Sequence, residues 1–219
     1  MSATVEIVPK EGPFVSPYNR YEDYVQAFWR FVLSVPQGEN PLKDSSVTLN
    51  RYGQHNLLNG VFFLPPNIGG NTEKSGTLQK GIRLLIPILG VVETLAENNN
   101  SNLRQLNEMT KKDQDSVTDI KLVINGKQYN EIRDFRFHTP SFPSLEEQPQ
   151  GFSVTLPTNS IYNSKPGETM AVADGYYVLT TPLAPGNYNI EFSGDLLCTG
   201  DNCVEPTFHT TNIYHLNLV

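Results

Sequence analysis

Residues 183–188, Leu-Ala-Pro-Gly-Asn-Tyr, constrain the fold of this chain more than any other segment. They lie between two runs in which apolar and polar residues alternate, the pattern of half-buried strands. Pro185 fixes φ and Gly186 accepts a positive φ, so this pair predicts a type II turn. The spacing from Leu183 to Tyr188 is typical of an immunoglobulin-like sandwich corner, where a buried tyrosine hydroxyl bonds to upstream backbone. We therefore predict that these four residues are structural.

Short apolar runs separated by Gly, Pro and Asn predict further strands. We expect strands within "NGVFFLPPN", "GTLQKG", "IRLLIPILG" and "GFSVTLP", with two or three more in the C-terminal part. Asn125-Gly126 separates two strand-like runs and accepts the positive φ angles of a type I′ hairpin turn. The predicted fold is mainly β, an immunoglobulin-like or jelly-roll sandwich in which residues 1–219 form a single domain.

Two helices are predicted beside the strands. Residues 20–33 place apolar side chains at three- and four-residue steps, which indicates an amphipathic helix that packs on a sheet. Trp29 lies on this apolar stripe, so we interpret it as a structural residue. The polar stretch at about 101–113 has Ser101 or Asn102 as a candidate N-cap and a thin apolar seam. It predicts a short exposed helix.

The charge balance restricts the partners. The chain has 16 Lys and Arg against 23 Asp and Glu, a net charge of −7, without a basic cluster. A nucleic-acid backbone would be repelled, so nucleic acid is not an expected partner. The apolar runs are too short for a bilayer and are interrupted by Pro or Gly, so no membrane span is expected. No cofactor is predicted.

The two cysteines lie close together in "CTGDNC". Gly200 and Asn202 permit a tight turn, so a disulfide between Cys198 and Cys203 is plausible on spacing alone. A zinc site would need two further ligands that the neighbourhood does not supply. The first residues, "MSATVEIVPKEG", lack the basic and apolar parts of a signal peptide, which fits either a cytosolic protein or a mature exported form.

Several segments, in this order, resemble a widespread family of uncharacterised, usually exported bacterial and archaeal proteins. They are "FWRFVLSVPQGENPLKD", "NGVFFLPPNIGG", "LQKGIRLLIPIL", "IRDFRFHTPSF" and "DGYYVLTTPLAPGNYNIEFSG". The resemblance implies a secreted or cell-surface location and implies no activity. Family members tend to carry two cysteines in the segments that correspond to "NRYGQHN" and "GTLQKG", and both are absent here. A disulfide between Cys198 and Cys203 would therefore be specific to this protein.

The reactive residues form no recognisable catalytic pattern. Asp174-Gly175 is expected to form a turn before a strand, where the carboxylate accepts backbone N–H bonds. No Gly-x-Ser-x-Gly elbow and no phosphate-binding glycine loop is present. His209 and His215 would lie on one strand face about 20 Å apart, too far for one metal ion. His138 is expected to be a lone, half-exposed histidine, so neither a catalytic residue nor a metal site is predicted.

The leading prediction is a non-enzymatic, extracytoplasmic β-sandwich that binds carbohydrate or another surface protein, or that assembles at a cell surface. Ligand contacts are expected from the two long loops "HTPSFPSLEEQPQ" and "TNSIYNSKPGE" and from the start of the strand that follows Asp174. The candidate residues are Phe142, Tyr162, Asp174 and Tyr176. Assembly would use an exposed edge strand, and the C-terminal run is the first candidate for it.

Two alternatives stay open. One is a carbohydrate hydrolase that uses two carboxylates roughly 5 to 9.5 Å apart. Its candidates are Glu22, Asp23, Asp134, Glu146, Glu147 and Asp174. The other is a cupin-like metal-binding barrel, which a cluster of inward-facing histidines would indicate.

Overall fold

The computed structural model describes residues 4–10, 20–43, 57–58, 60–139, 151–197 and 208–219. The helices are α1, Tyr21–Ser34, and α2, Leu103–Asp115, with short 3₁₀ helices at Gln37–Glu39 and Glu131–Phe135. The strands are β1 Leu57–Leu58, β2 Val61–Phe63, β3 Gly70–Leu78, β4 Arg83–Thr94, β5 Val117–Ile124, β6 Lys127–Gln128, β7 Arg136–Thr139, β8 Phe152–Leu156, β9 Gly167–Leu179, β10 Gly186–Leu196 and β11 Phe208–Leu218.

The strands form two sheets, which makes the protein a mainly β sandwich with two helices, as predicted. The six-stranded sheet has the order β1-β2-β4-β9-β7, and β8 also pairs with β9; we call it the covered sheet. The five-stranded sheet has the order β3-β11-β10-β5-β6; we call it the open sheet. Apolar side chains from both sheets meet between them, and the rings of Phe192 and Tyr214 stack there at 5.9 Å.

Helix α1 packs on the other face of the covered sheet, so this sheet is buried on both sides. Its buried residues are those of the predicted stripe, namely Tyr21, Tyr24, Val25, Phe28, Trp29, Val32 and Leu33. They contact strand residues that include Phe63 and Tyr177. The side chain of Asn40 donates hydrogen bonds to the carbonyls of Val32, at 2.7 Å, and Val35, at 3.0 Å. These bonds satisfy carbonyl groups at the end of the helix.

The predicted corner joins the two sheets. Leu183 is buried, and the hydroxyl of Tyr188 donates to the carbonyl of Ala184 at 2.9 Å. Gly186 has a φ of 146°, far from the value of about +80° in a type II turn, so the predicted turn type is wrong. The chain changes sheets here instead of forming a hairpin, which explains the different backbone path.

The Asn125-Gly126 turn is confirmed, with φ angles of 51° and 79°. Its second strand, β6, is only two residues long. The chain then forms the 3₁₀ helix at 131–135 and enters the covered sheet as β7. A short hairpin and a change of sheet thus replace the long hairpin that the alternating pattern indicated.

Two predictions about strands are wrong. Strand β9 extends from Gly167, so Asp174 and Gly175 lie inside it and not in a turn before it. A strand buried on both faces lacks alternation, and the Asp-Gly pair resembled a turn for that reason. The C-terminal strand β11 is paired on one side with β10 and on the other with β3, so it is not an edge strand.

Helix α2 begins at Leu103, and Asn102 is its N-cap: its side chain accepts a bond from the amide of Gln105 at 3.0 Å. The predicted exposed helix is therefore present, but one side of it is buried. Leu106, Asn107, Thr110 and Gln114 are buried, and the helix contacts β9 and β4.

Among the described residues, no helix combines the length and apolar character needed to cross a bilayer.

Candidate functional site

A buried carboxylate lies where α2 covers the inner face of β9. Asp174 is only 1% exposed, and both of its oxygens accept hydrogen bonds from the guanidinium of Arg136 on the neighbouring strand β7. The distances are 2.9 Å from Nε to Oδ1 and 2.6 Å from Nη2 to Oδ2. This bidentate pair matches the planar fork of the guanidinium and holds Asp174 as an ion-pair partner.

Arg136 also connects the sheet to the end of α2. Its Nη1 donates to Asp115 at 2.6 Å, and its Nη2 donates to the carbonyl of Lys111 at 3.3 Å. The hydrogen bonds to Asp174, followed by those to Asp115, raise the pKa of the Arg136 guanidinium. Bonds from Lys111 and Arg136 lower the pKa of the Asp115 carboxyl. A cation near the C-terminus of a helix is also favourable for the helix dipole.

His138 belongs to the same cluster. It lies opposite Asp174 in the strand register, and its Nδ1 is 3.4 Å from Asp174 Oδ2. Its Nε2 contacts the side-chain oxygen of Asn107, whose Nδ2 donates to the carbonyl of Leu103 at 2.7 Å. The prediction of a lone histidine is therefore wrong, because pairing of β7 with β9 places it beside a buried acid. These contacts tie strands to α2 and form a structural ion-pair cluster.

The aromatic candidates lie in or beside the core. Tyr176 packs between the sheets and is 6% exposed. Tyr162 packs against the cluster on the α1 side; burial first, then the charges of Glu97 and Glu93, raise the pKa of its hydroxyl. Trp29 donates from Nε1 to the hydroxyl of Tyr177 at 2.7 Å. Phe142, Cys198 and Cys203 lie outside the described residues.

The described carboxylates that were considered for hydrolysis lie on three elements. Glu22 and Asp23 are in the first turn of α1, where Asp23 accepts a bond from the amide of Arg20 at 2.8 Å. Asp134 is in the 3₁₀ helix at 131–135, and Asp174 is the ion-pair partner in β9. Glu146 and Glu147 lie outside the described residues.

The histidines of β11 face outward. His209 pairs with Asp195 at 2.5 Å, His215 pairs with Glu73 at 2.8 Å, and both histidines are exposed. Within the described parts of the chain, no group of three His, Cys, Asp or Glu side chains is arranged to hold a metal ion. His55 lies outside the described residues.

The outer face of the open sheet has a different character. Along β11, residues 210, 212, 214, 216 and 218 are buried, whereas residues 209, 211, 213, 215 and 217 are exposed or half-buried. The same alternation occurs in β10, where Tyr188, Ile190 and Phe192 point to the core. All outward residues of both strands except Ile213 are polar, and half of them are Asn, Ser or Thr. This sheet therefore presents a polar face to its surroundings.

An open groove of about 510 Å³ lies at one end of this face. It is lined by Ser75, Gly76, Thr77, Asn125, Asn187, Tyr188, Asn189, His215, Leu216 and Asn217. The strand register arranges the outward side chains in rows across the sheet. His215 lies between Ser75 and Asn189. Asn217 lies in the same way between Thr77 and Asn187.

Asn125 closes one side of the groove at the hairpin turn. Its Oδ1 accepts a bond from the amide of Asn189 at 2.8 Å. Its Nδ2 is buried and has no hydrogen-bond acceptor among the described residues. A buried donor without an acceptor costs about 1–3 kcal/mol. Because this nitrogen is buried, it is closed to a ligand in the groove.

Sequence reasoning missed this groove because its residues come from four segments far apart in the chain. Polar residues do occur at alternate positions, Asn187 and Asn189 in "GNYNIEF" and His215 and Asn217 in "IYHLNLV", and that is the signal that was available. Only strand pairing brings β10 and β11 side by side and adds β3 in parallel.

Comparisons with known proteins add little. No protein-family model and no curated protein matches the sequence. A chain in the solved structure "Structure of PbICP-C in complex with falcipain-2" aligns with 73% of this chain and 98% of its own length, at 12% identity and a TM-score of 0.27. A TM-score this low carries no argument about this protein.

Proposed function

We propose that this protein is a non-enzymatic binding protein that acts outside the cytoplasm and recognises carbohydrate through the outer face of the open sheet. The observation that carries the proposal is the polar, uncharged groove on that face. Asparagine, serine and threonine side chains there offer both hydrogen-bond donors and acceptors. Sugar hydroxyls have the same dual character, so the two surfaces are chemically complementary.

Charge supports a neutral ligand. The ten residues that line the groove include no carboxylate, lysine or arginine. Its one titratable imidazole, His215, contacts Glu73. The net charge of −7 disfavours strongly anionic partners at long range. The extracytoplasmic location rests on the resemblance to exported proteins, and fractionation of native cells into surface and internal fractions tests it.

The buried residues support binding over hydrolysis. The carboxylate among the candidates that lies deepest, Asp174, is engaged at both oxygens by Arg136. A general base or nucleophile needs an oxygen that a substrate can reach, and Asp174 is only 1% exposed. Asp174 therefore stabilises the fold of a binding protein.

The test is a glycan array that presents neutral, anionic and cationic glycans to the purified full-length chain. Wild-type protein should bind members of the neutral class. The double variant Asn189→Lys/Thr211→Lys, which adds two positive charges to the open face, should bind at least about tenfold more weakly, because it disrupts a neutral polar surface. Absence of wild-type binding to every glycan would contradict the proposal.

The matched control is Glu108→Lys. It lies on the exposed side of α2 and raises the net charge by the same two units. It should leave glycan binding unchanged. Equal losses in the control and in the double variant would show that net charge, and not the open face, governs binding.

A further inference from the structure

The polar outer face of the open sheet is long, and its two halves differ in shape and charge. One half contains the groove, and the register pair Asn187 and Asn217 is part of its lining. The other half contains the ion pairs Lys121–Glu191, at 2.6 Å, and His209–Asp195, at 2.5 Å. The half with the groove also contains one carboxylate, Glu73, which contacts His215, but the residues that line the groove are mainly amides and hydroxyls.

We infer that the groove is the specific site within this face and that it selects an uncharged glycan through the asparagine amides of β10 and β11. This inference rests on the proposed function, because it names the site and the charge class of the same ligand. Two observations support it: the concave shape and a lining without carboxylate, lysine or arginine.

The neutral lining determines the selectivity. A charged ligand group would have to lose its water without gaining an opposite charge in the groove, which is unfavourable. An uncharged hydroxyl exchanges hydrogen bonds with water for hydrogen bonds with the amides at little net cost. The groove should therefore favour neutral over acidic sugars.

The rigidity of the site supports recognition without rearrangement. Asn187, Asn189 and Asn217 are held by strands, and Asn125 is held by a turn with positive φ at both central residues. The bond from the Asn189 amide to Asn125 Oδ1 holds the turn against β10. The paired strand backbone needs no rearrangement when a ligand binds, which favours affinity.

The experiment uses two matched register pairs on the same face. Asn187→Ala/Asn217→Ala truncates the pair in the groove, and Ser193→Ala/Thr211→Ala truncates a pair in the other half. Binding of cellohexaose, laminarihexaose, chitohexaose and polygalacturonate hexamer to full-length variants is measured by calorimetry. Circular dichroism and thermal melting check that each variant is folded.

We expect at least one neutral hexamer to bind the wild type more tightly than the acidic hexamer. The groove variant should bind it at least about tenfold more weakly, because two amide contacts are lost. The variant in the other half should bind within about twofold of wild type, since outward truncations away from a ligand have small effects.

Other results would overturn the inference in distinguishable ways. If the wild type binds a hexamer but the groove variant binds it equally well, the groove is not the site, and the proposed function survives. Preference for the acidic hexamer would refute the neutral selectivity. If the wild type binds none of the four hexamers and no glycan on the array, both proposals fail together.

Discussion

The two sheets of this sandwich differ in how many of their faces are buried. The covered sheet is enclosed by the open sheet and α2 on one face and by α1 on the other, and residues 171–179 of β9 are all buried. The open sheet buries one face and alternates strictly along β11. A sheet enclosed on both faces can hold a charge only as a satisfied pair, whereas an open face can carry free polar groups for binding. Stability and recognition are therefore assigned to different sheets.

The largest expected effect is at the buried ion pair. Asp174→Ala leaves the guanidinium of Arg136 without its bidentate partner and should lower the free energy of unfolding by about 3 kcal/mol. Urea denaturation measures this change. Asp115→Asn removes the other carboxylate bound by Arg136, which is half-exposed, and should cost less than about 1 kcal/mol. Equal losses in the free energy of unfolding for the two variants would show that burial of the Arg136–Asp174 pair does not determine its contribution to stability.

The next largest effect on stability is expected at Gly175, where β9 and β4 approach each other closely in the covered sheet. A Cβ on Gly175 would lie 2.6 Å from the Cα of Gly90 and from the carbonyl oxygen of Leu89, and backbone atoms there cannot move aside. Gly175→Ala should therefore lower the free energy of unfolding by about 1–3 kcal/mol. Gly38→Ala is the control, because no atom lies within 4 Å of its added Cβ. Similar melting temperatures for the two variants would contradict this packing.

The corner between the sheets should show a smaller effect. Tyr188→Phe removes the bond from the tyrosine hydroxyl to the carbonyl of Ala184 and keeps the ring in place. The expected loss is about 1 kcal/mol in the free energy of unfolding. Urea denaturation detects it. A variant as stable as the wild type would show that the corner bond adds nothing.

The smallest expected effect is a change with pH in the free energy of unfolding, caused by Glu97. Burial, followed by the charge of Glu93, raises the pKa of Glu97 to about 7. Its ionisation is therefore less favourable in the folded than in the unfolded chain, and stability should fall as pH rises from about 4.5 to 7. Glu97→Gln should remove this loss and raise stability at pH 8 by less than about 1 kcal/mol, because the side chain is partly solvated. At pH 4 the variant and the wild type should melt alike; a gain at pH 4 equal to that at pH 8 would contradict the assignment.

The features predicted correctly from the sequence are those encoded locally. The apolar stripe of α1 follows from three- and four-residue spacing, and the Asn125-Gly126 turn follows from residues that accept positive φ. The tyrosine corner is likewise encoded within residues 183–188. Each of these patterns needs no knowledge of which strand lies beside it.

The features that the sequence did not reveal depend on strand pairing. Asp174 looked like a turn residue because its partner Arg136 is distant in the chain and only the pairing of β7 with β9 brings them together. The C-terminal strand looked like an edge because its parallel partner, β3, is polar and was predicted only in part. The residues of the groove become neighbours only because β11 pairs with β10 on one side and with β3 on the other.

The most direct test of binding by the open sheet is a nuclear magnetic resonance titration of the isotopically labelled chain with the tightest neutral hexamer. Amide shifts should change in β3, β10, β11 and the turn at Asn125, while amides of α1 and β9 stay constant. Shifts that change at α1 and β9 and leave the open sheet unaffected would contradict the division of roles between the two sheets.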